Sequence, residues 1–589
     1  MTTWAGYFLR RPNDVAPPAL VRELRGALSR TTGSPVSTLD LGRLVVAQID
    51  IDAYGAPSRR QDQRGLSVFA GDPCVRGHAD VTTRAGIDWL HERWCESDFA
   101  ATARAEGTFA ALHYDVPSAT LSLISDRIGV RPIYFAVTES VIIFGTALRI
   151  IEAITWLQKT LDLRGAIETI ALGFPLADRT LYEHVHTVRD GEVVSFSDES
   201  VARRHYWRLS HVPLERWSID EAAAEVRARF RDAVDRRLGS DRHTMAFLSG
   251  GLDSRCVVTE LRDRGVEVRS FNFAADGTND HFFGDAFAAA VGTIHERVPK
   301  LREQSVVHWT VMMAEALAGA RTRGSAPPER PRIVWSGDGG SVGLGFVNVY
   351  PSVTALLRAG RRKDAADEYL RAHGVSFPAR VFRRDVGHDV RSVLQDGVLD
   401  ALDDVRHEAE PGREQYFFAM LNDQRRHLAV HFEDSDLHRL ELALPFYDGA
   451  LLEAIAATPP EYGMRHHLYH QVLELFPPVA RSVAWQAYPG HERCPVPPPQ
   501  SGIYQWGEQR RETNRQSRRR TILGEMARVL RARRFPALLN RPYLVAASVL
   551  HWLGAGDYGY AVDWANAFVD YWQVTEGRWA PPRSDSTVR

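Results

Sequence analysis

The sequence predicts an α/β chain: a layered α/β sandwich over residues 1–212, then a doubly wound parallel sheet, with a mainly helical region from about residue 350. Three observations carry this reading. Up to about residue 210, short β-branched or aromatic runs recur between Gly, Pro, Ser and Asp: GRLVVAQIDI, TFAALHYDV, ATLSLISDR, RPIYFAV and SVIIFGTAL. From Ser218 onward, strand patterns alternate with helical ones, as a parallel sheet requires. Two serine- and glycine-rich loops each follow an apolar strand.

Taken in order, PPALVRELRGALSR and RAGIDWLHERWCE have helical spacing and are expected to cover the sandwich. Ser218 and Glu221 form a capping box that opens a helix running to Gly239. The strand HTMAFL, the loop SGGLDS and the helix RCVVTELRDRG come next. They are followed by the strand VEVRSFNF, the helix DAFAAAVG and the strand RIVWSGDGG. RWAPPRSDSTVR and PVPPPQSG read as irregular.

At 589 residues the chain exceeds one ordinary domain of about 100–200 residues. Its core is large enough to need no disulfide or metal. With 44% apolar and 25% charged residues it has the balance of a globular protein. A net charge of −2 excludes a uniformly basic coat for nucleic acid. No apolar run reaches the roughly 18 residues of a membrane helix, and MTTWAGYFLRRPND lacks the features of a secretory signal. Cys74, Cys95, Cys256 and Cys494 lie far apart and form no CxxC. No disulfide framework or cysteine zinc site is therefore expected, and a reducing cytoplasm fits. Lysine occurs only at Lys159, Lys300 and Lys363, so no lysine ammonium can act from the last third of the chain.

The first loop is Ser249-Gly250-Gly251-Leu252-Asp253-Ser254. Its glycines let backbone N–H groups approach a phosphate, and the helix behind adds partial positive charge. Asp253 would repel a bare phosphate, which points to Mg²⁺ between them. The pattern lacks the Walker GK[ST] ending and resembles the pyrophosphate loop of the ATP pyrophosphatases. The second loop, Ser336-Gly337-Asp338-Gly339-Gly340-Ser341, should face the same crevice and makes Asp338 a second candidate metal ligand.

His427 and His431 are four apart, with Glu433, Asp434 and His438 nearby. The run is not HExxH, so a polar wall of the active site or plain surface is expected rather than zinc. Arg425 and Arg426 suit either a phosphate or a solvated helix face. Residues 510–534 carry ten arginines and two glutamates. They read as a solvated face or a docking surface for a peptide or protein; too few aromatics intervene for a nucleic-acid platform.

Gly107-Thr108-Phe109-Ala110, the run from Ser125-Asp126-Arg127 to Ile133-Tyr134, the two loops and the stretch from Glu441 to Asp448 resemble the asparagine synthetase-type amidotransferases, in the same order. The resemblance covers most of residues 1–490. It implies an N-terminal-nucleophile-type αββα sandwich at 1–212 and an ATP pyrophosphatase domain at 213–589 that forms an acyl-adenylate and couples it to an amine.

The departures from that family narrow the expectation. Thr2 stands where the glutaminases expose a cysteine, and Gly71-Asp72-Pro73 replaces an Asn-Gly-Glu-type glutamine motif. The first domain is therefore expected to be a degenerate glutaminase. The late lysine of the asparagine- and β-lactam-forming branches is absent near residues 484–491. Ser341 replaces the usual Asp, which leaves Asp338 as either a metal ligand or a contact near the adenylate.

This combination resembles the lasso peptide cyclases. It implies ATP and Mg²⁺ as cofactors, a precursor peptide as substrate, and a leader protease and leader-binding protein as partners, with neither nucleic acid nor membrane. By the same resemblance, Ser249, Gly250, Gly251 and Ser254 hold pyrophosphate, and Asp253 and Asp338 hold the metal. Phe247 and Phe273 line the adenine side, with Ser336 and Gly337 nearby. Glu441 is a polar support or base, or simply packs a helix. An amide ligase for a small acid and a non-catalytic scaffold remain as alternatives. The missing cysteine and lysine count against the first, and the intact SGGLDS against the second.

Overall fold

In the computed structural model the N-terminal runs pair into two antiparallel sheets. One contains, in order, Tyr134–Val137, Val141–Gly145, Thr3–Leu9, Leu44–Ile49 and Ser37–Asp40. The other runs Val201–His205, Glu192–Phe196, Thr120–Ser125, Phe109–Asp115, Gly65–Gly71 and Arg59–Gln61. The structure describes residues 2–31, 35–55, 57–76, 82–198, 200–298, 313–319, 326–375, 377–387, 390–498, 502–504, 515–532 and 535–580.

Strand alternation decides the layers. Along Gly65–Gly71, Leu66, Val68 and Ala70 enter the core between the sheets with Trp4, Phe8, Val46 and Leu112. Phe69 points the other way, onto Ile87, Leu90 and Trp94 of the helix Thr83–Cys95. On the far side the helix Leu20–Leu28 buries Leu20, Leu24 and Leu28, four residues apart on one face. The result is the αββα layering that the resemblance implies.

The SDRIGVRP run is organised by one carboxylate. Asp126 accepts backbone N–H groups from Phe109, Ile128, Gly129, Val130 and Arg131 at 2.7–3.4 Å. The turn it closes aims Arg127 at Glu453 (2.7 Å) and Arg131 at Glu441.

After Ser218, whose capping box with Glu221 is formed, the helix Ile219–Leu238 leads into a five-stranded parallel sheet. Its order is Ile294–Arg297, Glu267–Asn272, His243–Phe247, Ile333–Trp335 and Glu441–Ala443. Counted along the chain this is 3-2-1-4-5, a doubly wound sheet whose direction of growth reverses between His243–Phe247 and Ile333–Trp335. The fifth strand falls in a stretch whose pattern reads as helical. Three residues between helices are too few to display a period of two.

The chain forms two compact units. The first holds 1–154, 188–349 and 419–505, and so contains the sandwich and the parallel sheet together. The second holds 155–187, 350–418 and 506–589 and is mainly helical, with Leu163–Leu172, Pro351–Arg358, Arg362–Ala372, Val390–Asp404, Arg515–Leu530, Arg541–Leu553 and Gly559–Val574. In it, the fully buried Glu168 is held between Arg164 and Arg179. No helix of the described residues is long and apolar enough to cross a membrane.

The buried pair His431 and His438 yields a pH prediction. Their rings stack 4.0 Å apart; His438 Nε2–H donates to the His431 carbonyl at 2.9 Å, and Nδ1 accepts the Leu440 N–H at 3.2 Å. Only a neutral imidazole satisfies both bonds, and burial pushes His438 from 6.5 down to about 3. Below 6.5 the unfolded chain takes up a proton that the folded chain refuses, so stability present above that pH is lost as pH falls toward 3. The expected slope is at most about 1.4 kcal/mol per pH unit for this group. Urea midpoints measured from about pH 7 to about pH 5 should fall in the parent, and fall less steeply in His438→Gln.

Candidate active site

Both glycine-rich loops leave the sheet at its reversal point, one after His243–Phe247 and one after Ile333–Trp335. Crevices of doubly wound sheets form there, at the carboxyl ends of the strands. In the first loop Ser249 Oγ accepts the Gly251 N–H at 3.2 Å and lies 3.1 Å from Ser254 Oγ. Ser254 Oγ in turn accepts the Ser249 N–H at 3.0 Å. The helix Leu252–Asp263 begins at Gly251 without a side-chain cap, leaving its first-turn N–H groups to an anion. Gly250 is required by space: a Cβ there would sit 2.7 Å from Asp280 Cα and 3.1 Å from Phe283 Cβ. Its carbonyl accepts the Gln486 N–H at 2.9 Å, and its N–H bonds the Asp280 carboxylate.

The second loop is pressed against the first. A Cβ on Gly337 would collide with the Ser254 N–H and lie 2.7 Å from the Asp253 carbonyl carbon. A Cβ on Gly340 would stand 2.6 Å from the Asp253 carboxylate. Gly339, at φ +92°, lies against the Tyr447 ring. Asp253 accepts hydroxyl donors from Tyr469 (2.7 Å) and Ser341 (2.5 Å), and Ser341 itself accepts from Tyr488 at 3.0 Å. Asp338 accepts the Ser336 hydroxyl and faces His427 Nε2 at 3.4 Å.

Burial, reinforced by the nearby charge of Asp338, pushes the Asp253 carboxyl up to about 6 despite its two hydroxyl donors. Burial also acts to raise Asp338, but His427 and Ser336 outweigh it and hold that carboxyl below its ordinary value. His427 is raised in return, chiefly by its bond to Asp338. Two carboxylates that repel each other across joined loops form a hard-oxygen donor set of the kind Mg²⁺ takes, so the residues fit that ion. Phe247 and Phe273, both half-buried, meet edge to face at 5.7 Å on neighbouring strand ends.

A buried arginine holds the far side of the site. Arg255, the residue after SGGLDS, is fully buried and donates to the carbonyls of Ala480 (3.1 Å), Val483 (2.5 Å) and Ala484 (2.8 Å). It also lies over the Phe287 and Trp485 rings. This pins residues 480–488 beside the first loop, so the side chain delivered from the late segment is Tyr488. Sequence reasoning passed over Arg255, Asp280, Tyr469 and Tyr488. Arg255 had a signal, its place directly after the motif; Tyr469 and Asp280 had none.

Glu441 requires correction as a candidate base or helix-packing residue. It lies on a strand, level with Ile333, at the amino end remote from the loops. Its carboxylate is ion-paired with buried Arg131 and accepts the Thr2 N–H at 3.2 Å. It is a positioning residue that joins the sandwich to the parallel sheet. Thr2 Oγ1 donates to Asp50 Oδ1 at 3.1 Å, and Asp50 also holds Ser58.

His427 forms part of the site wall, whereas His431 turns into the core, so the two do not make a metal pair. Arg425 is buried, bonded to the Val188 carbonyl and packed beside Gly129. Of the arginine-rich stretch, residues 510–514 and 533–534 lie outside the described residues. Within the described part, Arg528 pairs with Asp570 at 2.7 Å.

Glu441→Gln should strip Arg131 of its buried counter-charge and cost about 3 kcal/mol of stability. A urea titration checks this; unchanged stability would return Glu441 to the catalytic reading.

Residues 80–207 match the glutamine amidotransferase domain family, and residues 225–312 match the asparagine synthase family. The chain is 32% identical over 188 residues to asparagine synthetase (glutamine-hydrolyzing) 3 of Bacillus subtilis, covering 31% of this chain and 30% of that protein. It is 28% identical over 189 residues to putative asparagine synthetase (glutamine-hydrolyzing) 2 of Methanocaldococcus jannaschii, covering 31% and 36%. It is 29% identical over 257 residues to amidase chyE of Penicillium rubens, covering 40% and 36%. The chain thus spans no more than 36% of the length of these relatives. Within those spans it is asparagine synthetase-like, an amidotransferase-type domain followed by an asparagine synthase-type ATP pyrophosphatase domain.

Proposed function

We propose that this chain is an ATP-dependent, AMP-forming amide ligase of the lasso peptide cyclase type. It joins a peptide's α-amine to an Asp or Glu side chain of the same peptide. The observation that carries the reading is the pair of loops 249–254 and 336–341 pressed together at the sheet's reversal point, with an uncapped helix terminus and two carboxylates in one crevice.

The peptide carboxylate attacks the α-phosphorus of ATP, and the bond from that phosphorus to pyrophosphate breaks. Ser249, Gly250, Gly251, Ser254 and the first turn of Leu252–Asp263 receive the departing pyrophosphate. Mg²⁺ on Asp253 and Asp338 would neutralise charge on the phosphates. The α-amine then attacks the acyl carbon, loses a proton, and AMP departs. Most of the rate comes from positioning and from fixed charge.

Two features support an amine carried by the substrate. Thr2 presents a hydroxyl bonded to Asp50, with its N–H on Glu441, rather than a thiol. The late segment delivers the Tyr488 hydroxyl rather than an ammonium group. A leader protease and a leader-binding protein are proposed as the partners that supply the peptide. The relatives' names favour a second reading, transfer of ammonia to a small acid.

The test is to incubate the chain with Mg-ATP, precursor, leader protease and leader-binding protein, and to follow AMP and product mass. The expected product is one water lighter than the linear peptide, contains an isopeptide ring and resists carboxypeptidase. Glutamate release from glutamine in step with AMP, or ammonia transferred to a free amino acid, would favour the second reading. Asp253→Asn should lower peptide-dependent AMP formation by more than about a hundredfold, with an unchanged melting temperature.

A further inference from the structure

The helix Thr83–Cys95 faces the outer sheet of the sandwich with His91 and Cys95 four residues apart on one side. His113 rises to meet them from the strand Phe109–Asp115, and Asp62 from the turn before Gly65–Gly71. The Cys95 sulfur and one ring nitrogen from each histidine lie within 4.8 Å of one another. His91 Nε2 is the vertex, 3.6 Å from Cys95 Sγ and 3.4 Å from Asp62 Oδ2. A tetrahedral zinc with bonds of about 2.0–2.1 Å to nitrogen and about 2.3 Å to sulfur has edges of about 3.3–3.6 Å. The His91–Cys95 separation falls at such an edge.

The surroundings also match a metal centre. His91 and His113 are 0% and 1% exposed. Ser67 Oγ touches Nδ1 of both rings, each at 2.9 Å, as an outer-shell partner does when it orients ligand imidazoles. His113 Nε2 is buried without a hydrogen-bond partner. Cys95 and Asp62 are half-buried and give the ion a way in.

We propose that His91, Cys95 and His113 form a structural site for a divalent cation of the zinc class, with a water as the fourth ligand, fastening the helix to its sheet. Two imidazoles and a thiolate gathered within 4.8 Å suit Zn²⁺ rather than Mg²⁺ or Ca²⁺. Uptake replaces the Cys95 S–H bond with a sulfur–metal bond and releases that proton to solvent. The proposal does not depend on the ligase reading.

The test uses the full-length chain without an affinity tag, titrated with Co²⁺ as a spectroscopic stand-in. The parent should develop visible d–d bands and a thiolate charge-transfer band at a single equivalent, and Zn²⁺ should displace them. Cys95→Ser should abolish the charge-transfer band, and Ser67→Ala should weaken binding about tenfold. Zn²⁺ should raise the melting temperature of the parent but not of Cys95→Ser. His113→Asn should behave likewise; if it does not fold, the half-exposed Cys95→Ser decides alone. A folded parent without the bands, or a Co²⁺ spectrum identical in Cys95→Ser, would overturn the site and leave a hydrogen-bonded core patch.

Discussion

The site rests on a contact that allows no side chain: Gly337 and Gly340 against the backbone and carboxylate of Asp253. Interiors pack at crystal-like density, so the two loops have one relative placement available to them. That placement brings Asp253 and Asp338 close enough to feel each other's charge, which adds to burial in raising the Asp253 carboxyl. The strand order supplies the opportunity, because only at the reversal point do two strand ends diverge and leave a gap. The glycines then set how narrow the gap is.

Arginine does elsewhere what glycine does in the loops. A guanidinium can satisfy several carbonyls or carboxylates at once, which a lysine ammonium cannot do in a plane. Arg255 ties three carbonyl groups, of Ala480, Val483 and Ala484, beside the first loop, and Arg237 joins Asp448 to the Glu106 carbonyl. Arg127 and Arg131, both from the turn built on Asp126, reach Glu453 and Glu441. Buried pairs of this kind add little net stability over apolar packing, but breaking one leaves a charge stranded. Their effect is to fix one registration of the sandwich against the parallel sheet.

What the sequence disclosed follows from the range of the interactions. The capping box at Ser218 and Glu221, the helix Leu20–Leu28 and the two loops depend on residues within a few positions of one another, and all were legible. The strand Glu441–Ala443 was not, because three residues show no period, and its pairing with Ile333–Trp335 spans about a hundred positions. The role of Glu441 depended on Arg131, 310 residues away. His427 and His431 looked equivalent by spacing, yet the chain turns between the short helices that carry them, sending one to Asp338 and the other to His438. The His91, Cys95 and His113 cluster was hidden for a similar reason: the strand partner lies 18 residues past Cys95, and no cysteine pair announces it.

The amidotransferase-type domain is tied to the parallel sheet through its first residues. Its first strand follows directly on Thr2, whose hydroxyl and N–H are both committed, to Asp50 and to Glu441. Glu441 is in turn committed to Arg131, and the backbone N–H of Arg131 to Asp126. This chain of bonds runs from the place where a glutaminase nucleophile would act to the amino end of a strand in the ATP pyrophosphatase sheet. Freeing Thr2 would take one donor from the buried Glu441 carboxylate, a cost of about 1–3 kcal/mol, while its pair with Arg131 stays in place. A domain wired in this way holds its neighbour's fifth strand in register.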